Sequence, residues 1–465
     1  MGADQLERVF VPALMNSWPQ KNAKDTKLCI PLCPLRFFAA IHTGCGKLTK
    51  PDRQFASRHL QVAICKLCFL FFSSILLLSS SGCHRKSAPE IIYVGHVASF
   101  RGPDKLSGEH ARQGILLALE EAQGSEGTIN ENKRVEVIHV DTGGDLKAVE
   151  PAAVRLVAVN RVVALLGGTD WAQVEAMIPV AQSNEVPLIA SGGLPGRSLS
   201  DYFFRTGLSP DWQAEALAYF AANRHSPPVK KMAVLVDGVD KGPSSFLAGK
   251  FMREFLKREG NVMAGEWTYK EYRKDAKTSE AEWGFKSSEE LKEIAEQVRN
   301  KHPDAIFLAG SPLDLSRVLK AGLDDKLPLF FGGEEGSEQA LLGVSAGRPI
   351  FLATGFTLDQ NERQKAFATQ YEKRFAEPPD VHAAFAYQNM RILLDVLEHA
   401  TSFKSPKIKE ALENLTNFPT LTGTVSFDKE HHEADCQAFV VRVQDGRVKV
   451  EFSQESGDKK DGSSP

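Results

Sequence analysis

The chain has 465 residues, 42% of them hydrophobic and 25% charged, with a formal net charge of −3. This excludes a wholly disordered, collagen-like or small disulfide-stapled protein, and the length suffices for at least two sizeable cores. Residues 1–82 carry 10 Lys+Arg against 4 Asp+Glu and the remainder 46 against 55, and an acidic body without a basic stripe argues against nucleic-acid binding.

Six of the seven cysteines (Cys29, Cys33, Cys45, Cys65, Cys68, Cys83) fall in the first 83 residues and only Cys436 lies beyond them, so the body must fold without an internal disulfide. Residues 1–57 show no sustained period and are expected to be unstructured, or to reflect a translation start set too far upstream. The run LCFLFFSSILLL (67–78) follows Arg58, His59 and Lys66; at 12 residues it is too short to span a bilayer but suits the apolar region of a signal peptide over 58–82. Ser-Ser-Gly-Cys at 80–83 resembles a bacterial lipobox, although Ser80 stands where leucine is usual. The resemblance implies lipidation at Cys83 and a linker over 84–90; a buried hairpin or an ordinary cleaved signal is the alternative.

From Ile91 strands and helices alternate. IIYVGHV (91–97), VEVIHV (135–140), VVALLG (162–167) and VPLIA (186–190) read as strands, with helices over 106–123, 146–160 and 170–183. Continuous Val/Ile/Leu runs indicate strands buried on both faces, and the alternation indicates a parallel sheet. After Phe203-Phe204-Arg205-Thr206 the cycle restarts: helix 211–224, strand 232–237, helix 245–258, strand 262–268, helix 288–301, strand 304–310, helix 312–322, strand 328–333 and a strand near 350–354. Residues 270–287 are polar and read as a surface insertion. Helices over 361–375, 380–400 and 405–414 precede strands LTGTVSF (421–427) and QAFVVRV (437–443), and the polar tail 453–465 is expected to be disordered.

The segments IIYVGHVASFRGP, KRVEVIHVDTGGDLKAVEPAAVRLV, PDAIFLAG, FFGGEEG, PDVHAAFAYQNMRILLDVLEHA and LTGTVSFDKE stand in an order and spacing that resembles the leucine/isoleucine/valine-binding family of type I periplasmic binding proteins. The resemblance covers residues 91–452 and implies an α/β fold of two doubly wound parallel-sheet lobes joined by a three-stranded hinge, a Venus flytrap. Lobe 1 would comprise 91–208 and 357–422, lobe 2 209–356 and 423–452, with crossovers near 206–210, 355–358 and 421–424. A ligand would bind in the cleft where strand C-termini and helix N-termini of both lobes converge.

Other motifs stand in the wrong context. Gly343-Val344-Ser345-Ala346-Gly347 matches G-x-S-x-G but follows a helix and precedes a strand, the reverse of a nucleophile elbow. His431, His432, Glu433, Asp435 and Cys436 fit no standard zinc spacing and read as a solvated hairpin tip. No nucleophile–base–orienter set appears, so no enzyme, metal or cofactor is expected.

Carried over residue by residue, the resemblance places the first-lobe site at Arg101, Thr169, Asp170, Trp171, Gly192 and Gly193, and the second-lobe site at Asp211, Lys241, Ser311, Glu334 and Glu335. Several depart from the family pattern. Trp171 replaces a serine that receives the ligand carboxylate, Leu194 a threonine, Lys241 a stacking tyrosine and Ser311 another tyrosine. Glu334 or Glu335 matches the carboxylate that pairs with a ligand ammonium. Asp170, Asp211, Asp237 and Asp240 are equally readable as helix N-caps, and Trp171 either faces ligand or packs between lobes. The implied function is an extracytoplasmic, membrane-anchored lipoprotein of an ABC importer, monomeric, passing a small polar solute of amino-acid or amide type to permease subunits. A ligand sensor of the same fold that signals occupancy without transport is the alternative.

Overall fold

The computed structural model describes residues 89–454, except 103, 125–128, 130–132, 169, 193–199, 239–241, 275–280, 324–325, 335–336, 345–346, 359, 428–431 and 435. The expected signal peptide and Cys83 lie outside the described residues, as do Thr169, Gly193, Lys241 and Glu335.

The first lobe begins β1 (Glu90–Ala98), α1 (Lys105–Gln123), β2 (Lys133–Asp141), α2 (Val149–Ala158), β3 (Leu165–Gly167), α3 (Trp171–Asn184), β4 (Leu188–Ala190) and β5 (Phe203–Arg205). These five strands form one parallel sheet in the order β2-β1-β3-β4-β5. Ile92, Val94 and Leu166 pack into one core, and Val97, Leu165 and Leu188 into another. Each strand thus buries both edges of its alternation, which is why its sequence reads as an unbroken apolar run.

The second lobe runs α4 (Pro210–Tyr219), continued by a π-helical turn at Phe220–Arg224, then β6 (Lys231–Val236), α5 (Pro243–Leu256), β7 (Val262–Thr268), β8 (Lys270–Lys274), β9 (Ala281–Phe285), α6 (Ser288–Asn300), β10 (Ala305–Ala309), α7 (Pro312–Lys320), β11 (Leu329–Gly332), α8 (Ser337–Leu342) and β12 (Ile350–Thr354). The segment read as a bare insertion carries β8 and β9, an antiparallel hairpin that pairs Tyr272 with position 283.

The chain then returns to the first lobe with α9 (Glu362–Phe375), α10 (Val381–His399), α11 (Ser405–Glu413), β13 (Phe418–Thr420) and β14 (Gly423–Val425). Met390, Leu394 and Leu397 of α10 and Ile408 and Leu412 of α11 complete the core begun by Ile92 and Val94. α10 lies so close to α1 that a Cβ on Gly114 would come within 2.2 Å of the Ala383 carbonyl oxygen. Finally β15 (Ala438–Gln444) and β16 (Arg447–Gln454) extend the second sheet, whose order is β16-β15-β12-β11-β10-β6-β7. β16 was not anticipated, although RVKVEFSQ alternates as an edge strand should.

One boundary differs from expectation. The third crossing was placed near 421–424, with lobe 2 resuming at 423. Instead Val425 and Phe427 pack in the first-lobe core, and the Ala434 N–H donates to the Arg205 carbonyl at 2.9 Å. Arg205, 2% exposed, pairs with Glu433 at 2.8 Å. The crossing therefore falls between Ala434 and Ala438. His432 is not on a solvated tip either: it is buried, stacked on Phe204 with ring centroids 4.4 Å apart, and its Nε2 lies 3.1 Å from Glu413.

Candidate functional site

The first-lobe wall of the cleft is set by the turn from β3 into α3. Gly167 and Gly168 have φ of +122° and +78°, and a Cβ on Gly168 would meet the Val174 side chain at 2.4 Å, so the tight turn depends on glycine. Asp170 caps α3: its carboxylate accepts from the Gln173 backbone N–H at 2.8 Å and from the Gln173 side-chain amide. Trp171, first residue of the helix, packs its indole against the core of the second lobe. Gly192 leaves room for it, since a Cβ there would stand 3.3 Å from the indole.

The second-lobe wall is the end of β11. Gly333 lies so close to the Phe331 ring, 2.5 Å from where a Cβ would be, that the chain turns only with glycine there. The buried Gln213 amide donates to the Gly333 carbonyl at 2.8 Å and to the Ala353 carbonyl at 3.3 Å, pinning α4 to the ends of β11 and β12. The next residue, Glu334, reaches across the cleft, where its carboxylate accepts from the Trp171 backbone N–H at 3.2 Å.

Burial pushes the Glu334 carboxyl up to about 8, and the negative charges of Asp170 and Asp104 add to the rise while the Trp171 N–H opposes it. Asp170 is also raised, first by burial and then by Asp104, against the hydrogen bonds from Gln173. Around these carboxylates, Ser191, Gly192, Gln213 and His382 enclose a cavity of about 20 Å³, room for a single water-sized group. The two lobes meet with their acidic groups facing inward.

Asp170, Trp171, Gly192 and Glu334 thus come together. Arg101 does not join them: it is exposed and bonds Asp141 at 2.5 Å. Asp211 faces α5, where Lys250 lies 3.2 Å away, and not the cleft cavity. Ser311 caps α7, accepting from the Asp314 N–H at 3.2 Å. Asp211 thus pairs with the neighbouring helix and Ser311 caps its own, and neither lines the cavity beside Asp170 and Glu334.

A further residue of the cleft wall, His382, stands just inside the start of α10, which Asp380 caps. Asp380 caps α10, accepting from the Ala383 N–H at 2.8 Å, and lies 2.9 Å from His110 Nδ1. Two residues on, His382 enters the cleft wall, and burial pulls its imidazole below the usual range. The available signal was the polar pair His382 and Asn389, seven apart on the helix and therefore on one face.

A larger groove of about 900 Å³ lies beside the second crossover, between Phe356, Leu358, Asp380 and the strands β15 and β16. It contains neither Asp170 nor Glu334, so size alone does not make it the solute site.

A chain of two βα lobes, crossed three times and closed on carboxylates at the ends of strands and starts of helices, is a hinged two-lobed binding protein. Residues 91–447 match the periplasmic binding protein family, and the chain belongs to that family. Similar solved structures include the leucine-binding protein LivK from Thermotoga maritima MSB8, at 20% identity and a TM-score of 0.64 over 79% of this chain and 99% of that one. The branched-chain amino acid transporter substrate-binding protein LivJ from Streptococcus pneumoniae, in complex with isoleucine, matches at 20% identity and a TM-score of 0.63 over 79% and 99%. A solute-binding protein of an ABC transporter from Rhodopseudomonas palustris BisB5, in complex with 3,4-dihydroxybenzoic acid, matches at 18% identity and 0.62 over 79% and 98%. These likenesses establish the type I fold.

Proposed function

We propose that this chain is the extracytoplasmic solute-binding component of an ABC importer, anchored through Cys83, and that it captures a small solute carrying an amine or amide donor. The observation that supports this most directly is the Glu334 carboxylate facing Asp170 across the closed cleft. Two carboxyl groups in so small a buried volume are stabilised by a donor between them, and a solute ammonium offsets its own desolvation only against such a partner. The Trp171 indole supplies a flat apolar wall, over which a cation gains roughly 0.5–2 kcal/mol. Parting of the lobes would free the Trp171 N–H, at the start of α3, for an anionic or carbonyl group of the same solute.

Calorimetry against amino acids, amides and urea, on the native sequence and on Glu334→Gln and Glu335→Gln, tests the reading. At least one variant is expected to weaken binding tenfold or more, about 1.4 kcal/mol. Unchanged affinity in both would overturn the amine site.

A further inference from the structure

His96 stands on β1 two residues beyond Val94, on the face that α1 and α10 cover, where the alternation calls for an apolar side chain. It is 1% exposed. Its Nδ1 lies 2.8 Å from Nδ1 of His139, its register partner on β2, so one of those two nitrogens donates and the other accepts. The other ring nitrogen, Nε2, is buried and has no hydrogen-bond partner among the described residues. A buried polar nitrogen left in this way is costly unless something supplies its partner.

His96 also lines a second cavity of about 20 Å³, with Gly168, Ser191, His382 and Asn389 among its walls. Ser191 and His382 line the cleft cavity as well, so the two adjoin. The Asn389 carbonyl is already engaged by the Thr206 hydroxyl, and α1 covers the far side with Ala111 and Ile115. Among the described residues that wall this space, His96 brings a buried ring nitrogen that has no hydrogen-bond partner.

We propose that His96 Nε2, with His382 beside it, forms a subsite for the uncharged polar end, hydroxyl or carboxamide, of the solute whose amine end is held at Glu334. The inference rests on the amine-solute reading above. The volume admits a single group of the size of a hydroxyl, amine or methyl, so the choice among them falls to the imidazole nitrogen. A methyl group placed there would leave the imidazole nitrogen unsatisfied, and sites built to hydrogen-bond discriminate strongly against analogues lacking the group. Burial and the neighbouring His139 hold His96 well below the usual histidine range, so it meets the solute as a neutral ring.

Near-isosteric probes test this by calorimetry: L-threonine against L-valine, and L-asparagine against L-leucine. The native chain is expected to favour the polar member of each pair at least tenfold, and His96→Leu to erase that preference. Glu334→Gln should weaken both members alike. If valine and leucine bind the native chain as well as threonine and asparagine, while Glu334→Gln still weakens all four, the subsite is overturned and the amine site stands. If none of the four binds, the subsite is overturned, and the amine site is decided by the wider set of amines, amides and urea. Should His96→Leu not fold, nitrogen-15 NMR of the native histidines decides: threonine must shift the His96 Nε2 resonance more than valine does, and equal shifts overturn the subsite.

Discussion

The Trp171 backbone N–H and the Glu334 carboxylate, from opposite lobes, are joined by a 3.2 Å hydrogen bond. The bond ties the first turn of α3 to the end of β11 and keeps a carboxyl group in a site whose burial raises it from the ordinary 4.5 to about 8. A raised folded-state value means that this group's contribution to the closed, solute-free form is fully present below about 4.5 and is lost as pH rises through 8. An ammonium placed against Glu334 would pull the value back down. Binding of an amine solute at pH 7 should therefore release close to one proton. Titrations in buffers of different ionisation enthalpy measure it; the release should vanish in Glu334→Gln, and no release from the native chain would count against the amine site.

The histidine pair on β1 and β2 predicts an acid limit. Burial, with the Arg112 charge adding to it, lowers His139 to about 4, and burial and His139 lower His96. A depressed value means that the stability is fully present above about 6.5 and is lost as pH falls from there toward 4. For His139 alone the loss is on the order of 3 kcal/mol. Urea denaturation at pH 7 and pH 4.5 should show a smaller difference for His139→Phe than for the native chain.

Arg205 and Glu433 hold the third crossing to β5. Replacing Glu433 by Gln leaves the guanidinium without its carboxylate in a nearly solvent-free site, at a cost of about 3 kcal/mol. Arg205→Met combined with Glu433→Leu should recover much of the loss. Thermal denaturation of the single and double variants checks the order.

Gly114 marks the seam between α1 and α10. With the Ala383 carbonyl 2.2 Å from the position of a Cβ, Gly114→Ala must push the helices apart, at roughly 1–3 kcal/mol. Chemical denaturation should give a lower midpoint with an unchanged slope.

The βα alternation was legible because strands buried on both faces leave unbroken Val/Ile/Leu runs. Asp170 and Glu334 were legible as cleft residues from their places after β3 and β11. Asp211 was not: its position in the first turn of a helix does not reveal which way it faces, and its partner Lys250 lies on the next helix. The third crossing was misplaced because LTGTVSF reads as one strand, whereas residues 421–422 turn between β13 and β14 and hold Val425 in the first lobe. The only local signal at His96 is a polar residue in an apolar strand. The cavity it lines depends on β3, β4 and α10 meeting at one place, which no stretch of sequence displays.

The order in which the cores are completed has a consequence for how the chain is made. A nascent chain that has emerged only as far as β12 holds a first sheet lacking α10 and α11, which cover one of its faces, and a second sheet lacking β15 and β16 along one edge. Neither half is complete when β12 has been made, because Met390, Ile408 and Val425 of the first lobe, and then β15 and β16 of the second, all arrive after it. Contacts so distant in sequence fold slowly and leave apolar faces and unpaired edges open in the meantime. A fragment cut at either of the first two crossings would therefore leave an apolar sheet face and an unpaired sheet edge exposed.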